Sequence, residues 1–392
     1  MEIKVERLVH RGLGLARREG KTIFIPGVIP GEVVLCEITE NKPSYAHAWL
    51  KKVIQPSVHR REPECRYFLA CGGCQLEHID YKHQLELKKD VLIETLSRMA
   101  KFDPRPFVQE IIPSPSPLKY RARVRFHVSS GEVGFKAFES EKFVKVTDCL
   151  LARDEIRTAM PALQKLLKQL LSGKNFEVEL DFDPDTKKVF ALPTMGKRIA
   201  YSYEQGEFVG VELSKPALRR LSSFVQVNPE QNENLKKLAG ELARSARAKS
   251  CLELFAGSGN LSFEMAGKVN HLTSVELNAN AVELAKSLAR ERGITNIEFI
   301  AQTSESYLKH ALTAGLKFDL VVLDPPRTGA KRESEKIAGL KPRNIIYVSC
   351  EPSTLARDLR ILIDGGFHLE KIIPLDMFPQ TFHIETISML SA

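Results

Sequence analysis

Cys350 lies in the stretch Asn344-Ile345-Ile346-Tyr347-Val348-Ser349-Cys350-Glu351-Pro352-Ser353-Thr354, and its setting suits a nucleophile. The apolar run from Ile345 to Val348 predicts a buried strand, and Pro352 followed by Ser353, Thr354 and Leu355 predicts a helix start. A thiol at a strand's carboxyl end, just ahead of a helix, occupies the edge where open α/β sheets bind ligands and where a helix N-terminus favours a thiolate. The competing reading is an inert core residue, the common fate of a free cysteine. Glu385, in His383-Ile384-Glu385, is a second candidate: a partly desolvated carboxylate gains proton affinity and can act as a general base. Its competing reading is a surface carboxylate on an edge strand.

Two further stretches carry chemistry. Glu253-Leu254-Phe255-Ala256-Gly257-Ser258-Gly259-Asn260 follows a short apolar strand, and such a glycine-bearing turn lets the backbone approach a nucleotide-like ligand. Glu276 ends the next strand, where a carboxylate can accept from ribose hydroxyls. The third glycine of the dinucleotide fingerprint is absent, and an acidic residue precedes the turn. These features resemble the S-adenosyl-L-methionine (AdoMet) site of class I methyltransferases. The resemblance implies contacts from Phe255 and Gly257, with Glu253 at the methionine amino group and Glu276 at the ribose. Leu323-Asp324-Pro325-Pro326-Arg327 resembles the active-site motif of nucleic-acid methyltransferases, in which rigid prolines hold a loop against the target base. Arginine stands where a tyrosine would mark amine methylation, which argues against an exocyclic amine as the acceptor.

Seven cysteines occur, and three of them, Cys65, Cys71 and Cys74, follow a C-x5-C-x2-C spacing with Gly72-Gly73 inside the tighter pair. That spacing is a ligand signature, the glycines letting the backbone turn closely around a centre. Zinc and iron both accept thiolates, so the spacing does not choose the metal. Cys149, beside a turn in Val146-Thr147-Asp148-Cys149-Leu150, is the candidate fourth ligand.

These groups need a scaffold, and 392 residues suffice for several domains with cores of their own. Hydrophobic residues at 43% and charged residues at 27% describe a globular chain. No apolar run is long enough to span a membrane, and Met1 to Glu6 lacks the order of a signal peptide, so a cytoplasmic protein with no membrane partner is expected. The net charge of +8 favours a polyanionic partner.

Residues 1–56 read as short strands punctuated by Gly and Pro, an all-β OB-like barrel. Gly12-Leu13-Gly14-Leu15-Ala16-Arg17, Phe24-Ile25-Pro26-Gly27 and Pro30-Gly31-Glu32-Val33 resemble the TRAM domain, an RNA-binding module, with Lys42, Tyr45, Lys51 and Lys52 as candidate phosphate and stacking contacts. Residues 57–221 read as a central α+β domain. It includes a helix over 76–100 with Leu85, Val91, Leu92, Leu96 and Met99 on its apolar side. It also includes an alternating strand, Lys119 to Phe126, that would align Lys119, Arg121, Arg123 and Arg125 as a phosphate track. Two proline-bearing stretches, 103–106 and 113–117, read as linkers or turns. Residues 222–392 alternate strand and helix, predicting a Rossmann-like parallel sheet covered on both faces.

Taken together, the barrel, the four cysteines, Phe224-Val225-Gln226-Val227-Asn228, the glycine turn, Asp324 to Gly329, Cys350 and Glu385 resemble, over essentially the whole chain, the RNA 5-methyluridine methyltransferase family. The resemblance implies a [4Fe-4S] cluster on Cys65, Cys71, Cys74 and Cys149. It places Gln226 at the AdoMet and base pocket, Asp324 in the active site, Cys350 as nucleophile and Glu385 as base. Among family members the cluster and barrel together favour 23S ribosomal RNA as substrate, with transfer RNA as the alternative; a non-catalytic RNA-binding protein is the competing class. A monomer is expected. Gln302, Ser304 and Glu305 are left as undecided candidates for an adenine contact. The chemistry needs these residue types independently: uracil carbon 5 is a poor nucleophile until a thiolate adds at carbon 6, and a base must then remove the carbon 5 proton.

Overall fold

The computed structural model describes residues 1–170, 175–184, 186–194, 200–212 and 225–392. Phe224 and the expected boundary at residues 221 and 222 lie outside the described residues. Three sheets follow one another along the chain.

The first contains β1 (Glu2–Lys4), β2 (Arg7–Val9), β3 (Leu13–Arg18), β4 (Lys21–Pro26), β5 (Val33–Asn41) and β6 (Tyr45–Gln55), in the order β1-β5-β6-β4-β3-β2. Alternating residues such as Ile3, Val5, Ile23, Ile25 and Val34 point inward and close a small core of their own. Lys42 and Lys51 are ion-paired with Glu40 and Glu37 at the surface, and Tyr45 packs edge-on against Phe24 and His47. Such exposed pairs contribute little to stability.

Helix α1 (Tyr81–Ala100) begins five residues later than the periodicity suggests, because Asp80 caps it by accepting from the His83 N–H. Its packed face also differs from the expected one. Leu92 and Leu96 are buried, but Met99 is exposed and Lys88 is buried in its place, paired with Asp376 at 2.6 Å. A lysine reads as solvent-facing in any hydropathy pattern; only a partner distant in sequence draws it inward. α1, within the stretch expected to form the central domain, packs on the C-terminal sheet.

The central sheet is antiparallel: β7 (Arg123–Ser129), β8 (Glu132–Lys136), β9 (Phe143–Lys145), β10 (Phe176–Asp183), β11 (Lys188–Pro193), β12 (Ala200–Glu204) and β13 (Glu207–Val211), in the order β13-β12-β11-β10-β7-β8-β9. Helix α2 (Asp154–Leu170) lies on it through Ile156, Leu163 and Leu167. Tyr120, Ala122, Val124 and Phe126 are buried as the alternation requires. The four cations of the same stretch are not equivalent free charges. Arg123 and Arg125 stand opposite Asp181 and Glu179 on β10, and each pairs with carboxylates there; Lys119 pairs with Asp154. Cross-strand partners neutralise the face that one strand's sequence leaves looking cationic.

The third sheet comprises β14 (Ser250–Leu254), β15 (His271–Glu276), β16 (Ile297–Ala301), β17 (Leu320–Leu323), β18 (Asn344–Ser349), β19 (His368–Leu375) and β20 (Glu385–Ser391), in the order β16-β15-β14-β17-β18-β20-β19. The expectation of an all-parallel sheet fails at β20, which inserts antiparallel between β18 and β19. No helix separates β19 from β20, so the chain returns as a hairpin. Leu254, Val321, Ile345 and Tyr347 feed one core with α1, whereas Cys251, Val322, Ile346 and Val348 feed the other. Both faces are therefore covered. Between the two proline-bearing stretches the chain runs along the sheet edge: Val108 and Ile112 bridge to Ile372 and Leu375 of β19. No helix among the described residues is long and apolar enough to cross a membrane.

Candidate active site

A cavity of about 880 Å³ opens at the carboxyl ends of β14, β17 and β18. Topology alone explains why Cys350, Asp324 and Glu385 share its wall. Ser349 pairs with Thr386 across β18 and β20, so the next step of that antiparallel register sets Cys350 opposite Glu385. Leu323 pairs in parallel with Tyr347, so Asp324 leaves β17 beside them. Thiol and carboxyl thus come from adjacent strand ends. Gln226 is buried in the same wall, and its neighbour Asn228 caps helix α3 (Pro229–Ser245).

Burial sets the protonation states. It pushes the Cys350 thiol up to about 12, Glu385 adding to the shift and Arg327 opposing it. The expectation of a thiolate favoured by the following helix is therefore not met in the free enzyme: the N-terminus of that helix is capped by the Glu351 carboxylate, which accepts from the Ser353 N–H. Burial likewise raises Asp324 to about 6, and Glu385 well above the usual carboxylate range with Asp324 reinforcing it. His383 is lowered to about 3, by burial first and then by nearby cations, so it is neutral. Its Nε2 accepts from the Arg327 guanidinium at 3.1 Å, which puts its proton on Nδ1.

The glycine turn forms another part of the wall, from Phe255 to Asn260. Phe255 has φ +60°, a left-handed conformation that costs a non-glycine residue on the order of 1–3 kcal/mol. Gly259, at φ +93°, has no room for a Cβ, which would stand 2.7 Å from the Phe263 ring. The two acidic residues expected at the ligand are both engaged by protein groups. Glu276 lies outside the cavity lining; its carboxylate accepts from the Gly257 N–H at 2.9 Å and the Asn278 N–H at 2.7 Å, tying the ends of β14 and β15 together. Glu253 is buried beneath the turn rather than in the cavity wall, accepting from Ser262 and, at 2.7 Å, from Ser274. Burial holds it at about 7 despite those two hydroxyls. Of the adenine candidates, Glu305 is engaged by Lys336 and Arg332, Ser304 is buried, and Gln302 donates to Ser306. None of the three lines the cavity.

Cys65, Cys71, Cys74 and Cys149 line a second cavity of about 570 Å³. Gly72 in the cysteine turn packs closely: a Cβ would stand 3.1 Å from the Lys136 and Ala137 backbone, and its N–H donates to the Lys136 carbonyl. The Gly73 N–H points at Cys71 Sγ, 3.4 Å away. Among the described residues no group of side chains closes on a single metal ion. Four thiols lining one cavity form a donor set that iron and zinc both accept.

Several wall residues carried no sequence signal for this role. Gly72, Gly73 and Gln75 of the cysteine turn line the larger cavity, and so does Arg121, which lines both. Arg121 Nε is shut off from solvent without a partner among the described residues. Its place in the alternating strand hid this, since it reads there as one of four equivalent cations.

Residues 217–392 match the family model described as tRNA (Uracil-5-)-methyltransferase, and residues 1–51 match the TRAM domain. The chain is 32% identical to an uncharacterized RNA methyltransferase of Aquifex aeolicus, covering 100% of this chain and 98% of that protein. It is 31% identical to the 23S rRNA (uracil(1939)-C(5))-methyltransferase of Vibrio cholerae, covering 99% and 94%. The Pyrococcus abyssi tRNA (uracil-54, C5)-methyltransferase, solved in complex with S-adenosyl-L-homocysteine, shares the fold with a TM-score of 0.72 at 22% identity, over 99% of this chain and 100% of that one. With full-length relatives above 30% identity, and a strand order that brings thiol, carboxyl and glycine turn to one cavity, the chain belongs to the RNA uracil-5-methyltransferase family.

Proposed function

We propose that this protein uses AdoMet to methylate carbon 5 of a uridine in RNA, with Cys350 as nucleophile and Glu385 as base. The observation that carries the reading is the β18/β20 register, which sets the thiol across from the carboxyl in a cavity shared with the glycine turn. Phe255, Gly257, Gln226 and Asp324 would hold AdoMet and the target base, with Glu276 acting through the Gly257 N–H it binds. When bound, AdoMet supplies an electrophilic methyl group and a positive sulfonium. The uridine must leave any stack to reach the cavity.

The chain's own groups then divide the work. As Cys350 Sγ bonds to carbon 6, its proton passes to a neighbouring carboxylate or to water, and the electron pair of the carbon 5–carbon 6 double bond becomes available at carbon 5. After methylation, Glu385 takes the carbon 5 proton, the sulfur leaves carbon 6 as thiolate and the double bond is restored. Glu385 must be ionised for that step. Arg327 is the cation whose field favours the ionised form, opposing burial and Asp324.

Cys65, Cys71, Cys74 and Cys149 would hold a [4Fe-4S] cluster. Its role here is to staple the fold, since methyl transfer moves no net electrons. The name of the Vibrio cholerae relative favours 23S ribosomal RNA as substrate. Transfer RNA is the second reading, favoured by the description of the matching family model.

Incubation with labelled AdoMet and RNA is expected to yield 5-methyluridine, Cys350→Ala to abolish it, and Glu385→Gln to lower kcat by roughly 10²–10⁴. RNA containing 5-fluorouridine should become covalently bound to the wild-type protein, because no proton can leave carbon 5. Wild-type product from Cys350→Ala would sink the mechanism. Mapping 5-methyluridine in ribosomal and transfer RNA of a deletion strain decides the substrate.

A further inference from the structure

The segment that delivers Glu385 is held from outside the methyltransferase sheet. Residues 376–384 join β19 to β20, and Phe378, Thr381, Phe382 and His383 from this loop form part of the cavity wall. The loop's backbone is gripped by the cysteine turn. The N–H groups of Gln75 and Leu76 both donate to the Gln380 carbonyl at 3.0 Å. The Gln75 side chain closes the grip in both directions: its Oε1 accepts from the Phe382 N–H at 3.4 Å, and its Nε2 donates at 2.7 Å to the carbonyl of Gly72, between Cys71 and Cys74.

Gln380 is fully buried and stands at φ +67°, so its surroundings must hold it in a conformation that side-chain-bearing residues rarely adopt. They do so through both ends of its amide. Oε1 accepts from Gln84 Nε2 at 2.9 Å and from Arg61 at 3.3 Å, Nε2 donates to the Pro117 carbonyl at 3.2 Å, and the backbone N–H donates to Gln84 Oε1 at 3.2 Å. The N-terminal sheet joins in: His10 packs edge-on against Phe382 with ring centres 5.3 Å apart. Both reacting groups sit beside paired strands, Cys350 after β18 and Glu385 as the first residue of β20 opposite Leu375 of β19, but the 376–384 loop enters the sheet directly at Glu385 and so bears on the base rather than on the thiol.

We propose that Gln75 and Gln380 are positioning residues for the base: they carry the placement of the four-cysteine turn into the 376–384 loop and so set where Glu385 stands relative to the substrate carbon. The inference rests on Glu385 being the base. It deepens that reading by giving the cysteine centre a mechanical task in one chemical step. Loosening the clasp leaves the thiol on its rigid strand, so addition to carbon 6 and methylation proceed. Removal of the carbon 5 proton slows, because a misplacement of about 1 Å costs on the order of 10²-fold. Enzyme and methylated RNA then stay covalently joined.

The test uses the full-length, iron-loaded protein, AdoMet and unmodified uridine RNA, and reads the fraction of RNA in a denaturant-resistant protein adduct. Gln380→Ala and Gln75→Ala are each expected to lower kcat about 10- to 100-fold. KM for RNA, affinity for AdoMet and iron per chain should stay within about threefold of wild type, while the adduct fraction rises. Gln75→Ala keeps both backbone hydrogen bonds to Gln380, so it remains informative if Gln380→Ala fails to fold. Glu385→Gln is the control. Adduct with Glu385→Gln but none with a folded Gln75→Ala or Gln380→Ala would overturn the positioning role alone. Lost turnover without adduct in Glu385→Gln would overturn the assignment of the base, and this inference with it. Parallel losses of RNA and AdoMet affinity without adduct would reduce the clasp to general structural support.

Discussion

Cys350 is a neutral thiol in the resting cavity, held so chiefly by burial, with the Glu385 and Asp324 carboxyls reinforcing it. Only the thiolate reacts, and with a folded-state value near 12 its fraction rises tenfold per pH unit throughout the neutral range. Alkylation of Cys350 by iodoacetamide is therefore expected to accelerate tenfold per unit from pH 7 to pH 9 without a plateau. Its rate should lie roughly three orders of magnitude below that of a free thiol with an ordinary value near 8.5. Mass spectrometry of the Cys350 peptide measures it, and a plateau below pH 8 would show that the thiol ionises in the free enzyme. Such a resting state protects the nucleophile until substrate arrives. The same residue shows how little spacing reveals about electrostatics, since the helix that follows Cys350 is legible in the sequence whereas the two carboxyls facing it come from β17 and β20.

At the scale of elements, α1 and the 376–384 loop are joined by one buried ion pair. Lys88 Nζ donates to Asp376 Oδ1 at 2.6 Å and to the Phe378 carbonyl at 3.1 Å, with both charged groups shielded from water. Removing one member strands the other: Lys88→Met is expected to destabilise the fold by about 3–5 kcal/mol in urea unfolding, and the double variant Lys88→Met/Asp376→Asn to recover a large part of that loss. Equal destabilisation in single and double variants would mean that packing of the lysine stem, not the stranded carboxylate, sets the cost. The antiparallel insertion of β20 is the other decision at this scale. A parallel continuation would have placed Glu385 at the opposite end of the sheet from Cys350, on the far side of the core.

Across the whole molecule, the cysteine turn is where the three sheets meet. Gly12, in the turn between β2 and β3, lies against Gln75, the turn pairs with β8 through Gly72, and Gln75 grips the loop before β20. The proposed cluster on Cys65, Cys71, Cys74 and Cys149 would close the chain between residues 74 and 149, and a cross-link over a loop of that length contributes roughly 4 kcal/mol. Anaerobically purified protein is expected to be brown and to contain iron. Stripping the metal with oxidant and chelator should lower the melting midpoint by on the order of 10 °C. A colourless protein with stoichiometric zinc would refute the cluster, and an unchanged midpoint after stripping would refute its stabilising role.

The sequence by itself determined the parts that depend on neighbours in the chain. Periodicity and glycine punctuation marked the β-rich start, the alternation after residue 222, the strand ending at Ser349 and the glycine turn, and spacing marked the cysteines, because each is a local pattern written in consecutive residues. Tertiary structure decided everything that depends on what lies across a sheet or under a turn. Carboxylates on β10 cancelled the cationic face of β7, Ser262 and Ser274 drew Glu253 beneath the turn, and Asp376 pulled Lys88 into the core. The direction of β20 set Glu385 against Cys350. Burial and pairing across strands are sums over residues far apart in sequence, so no local pattern carries them.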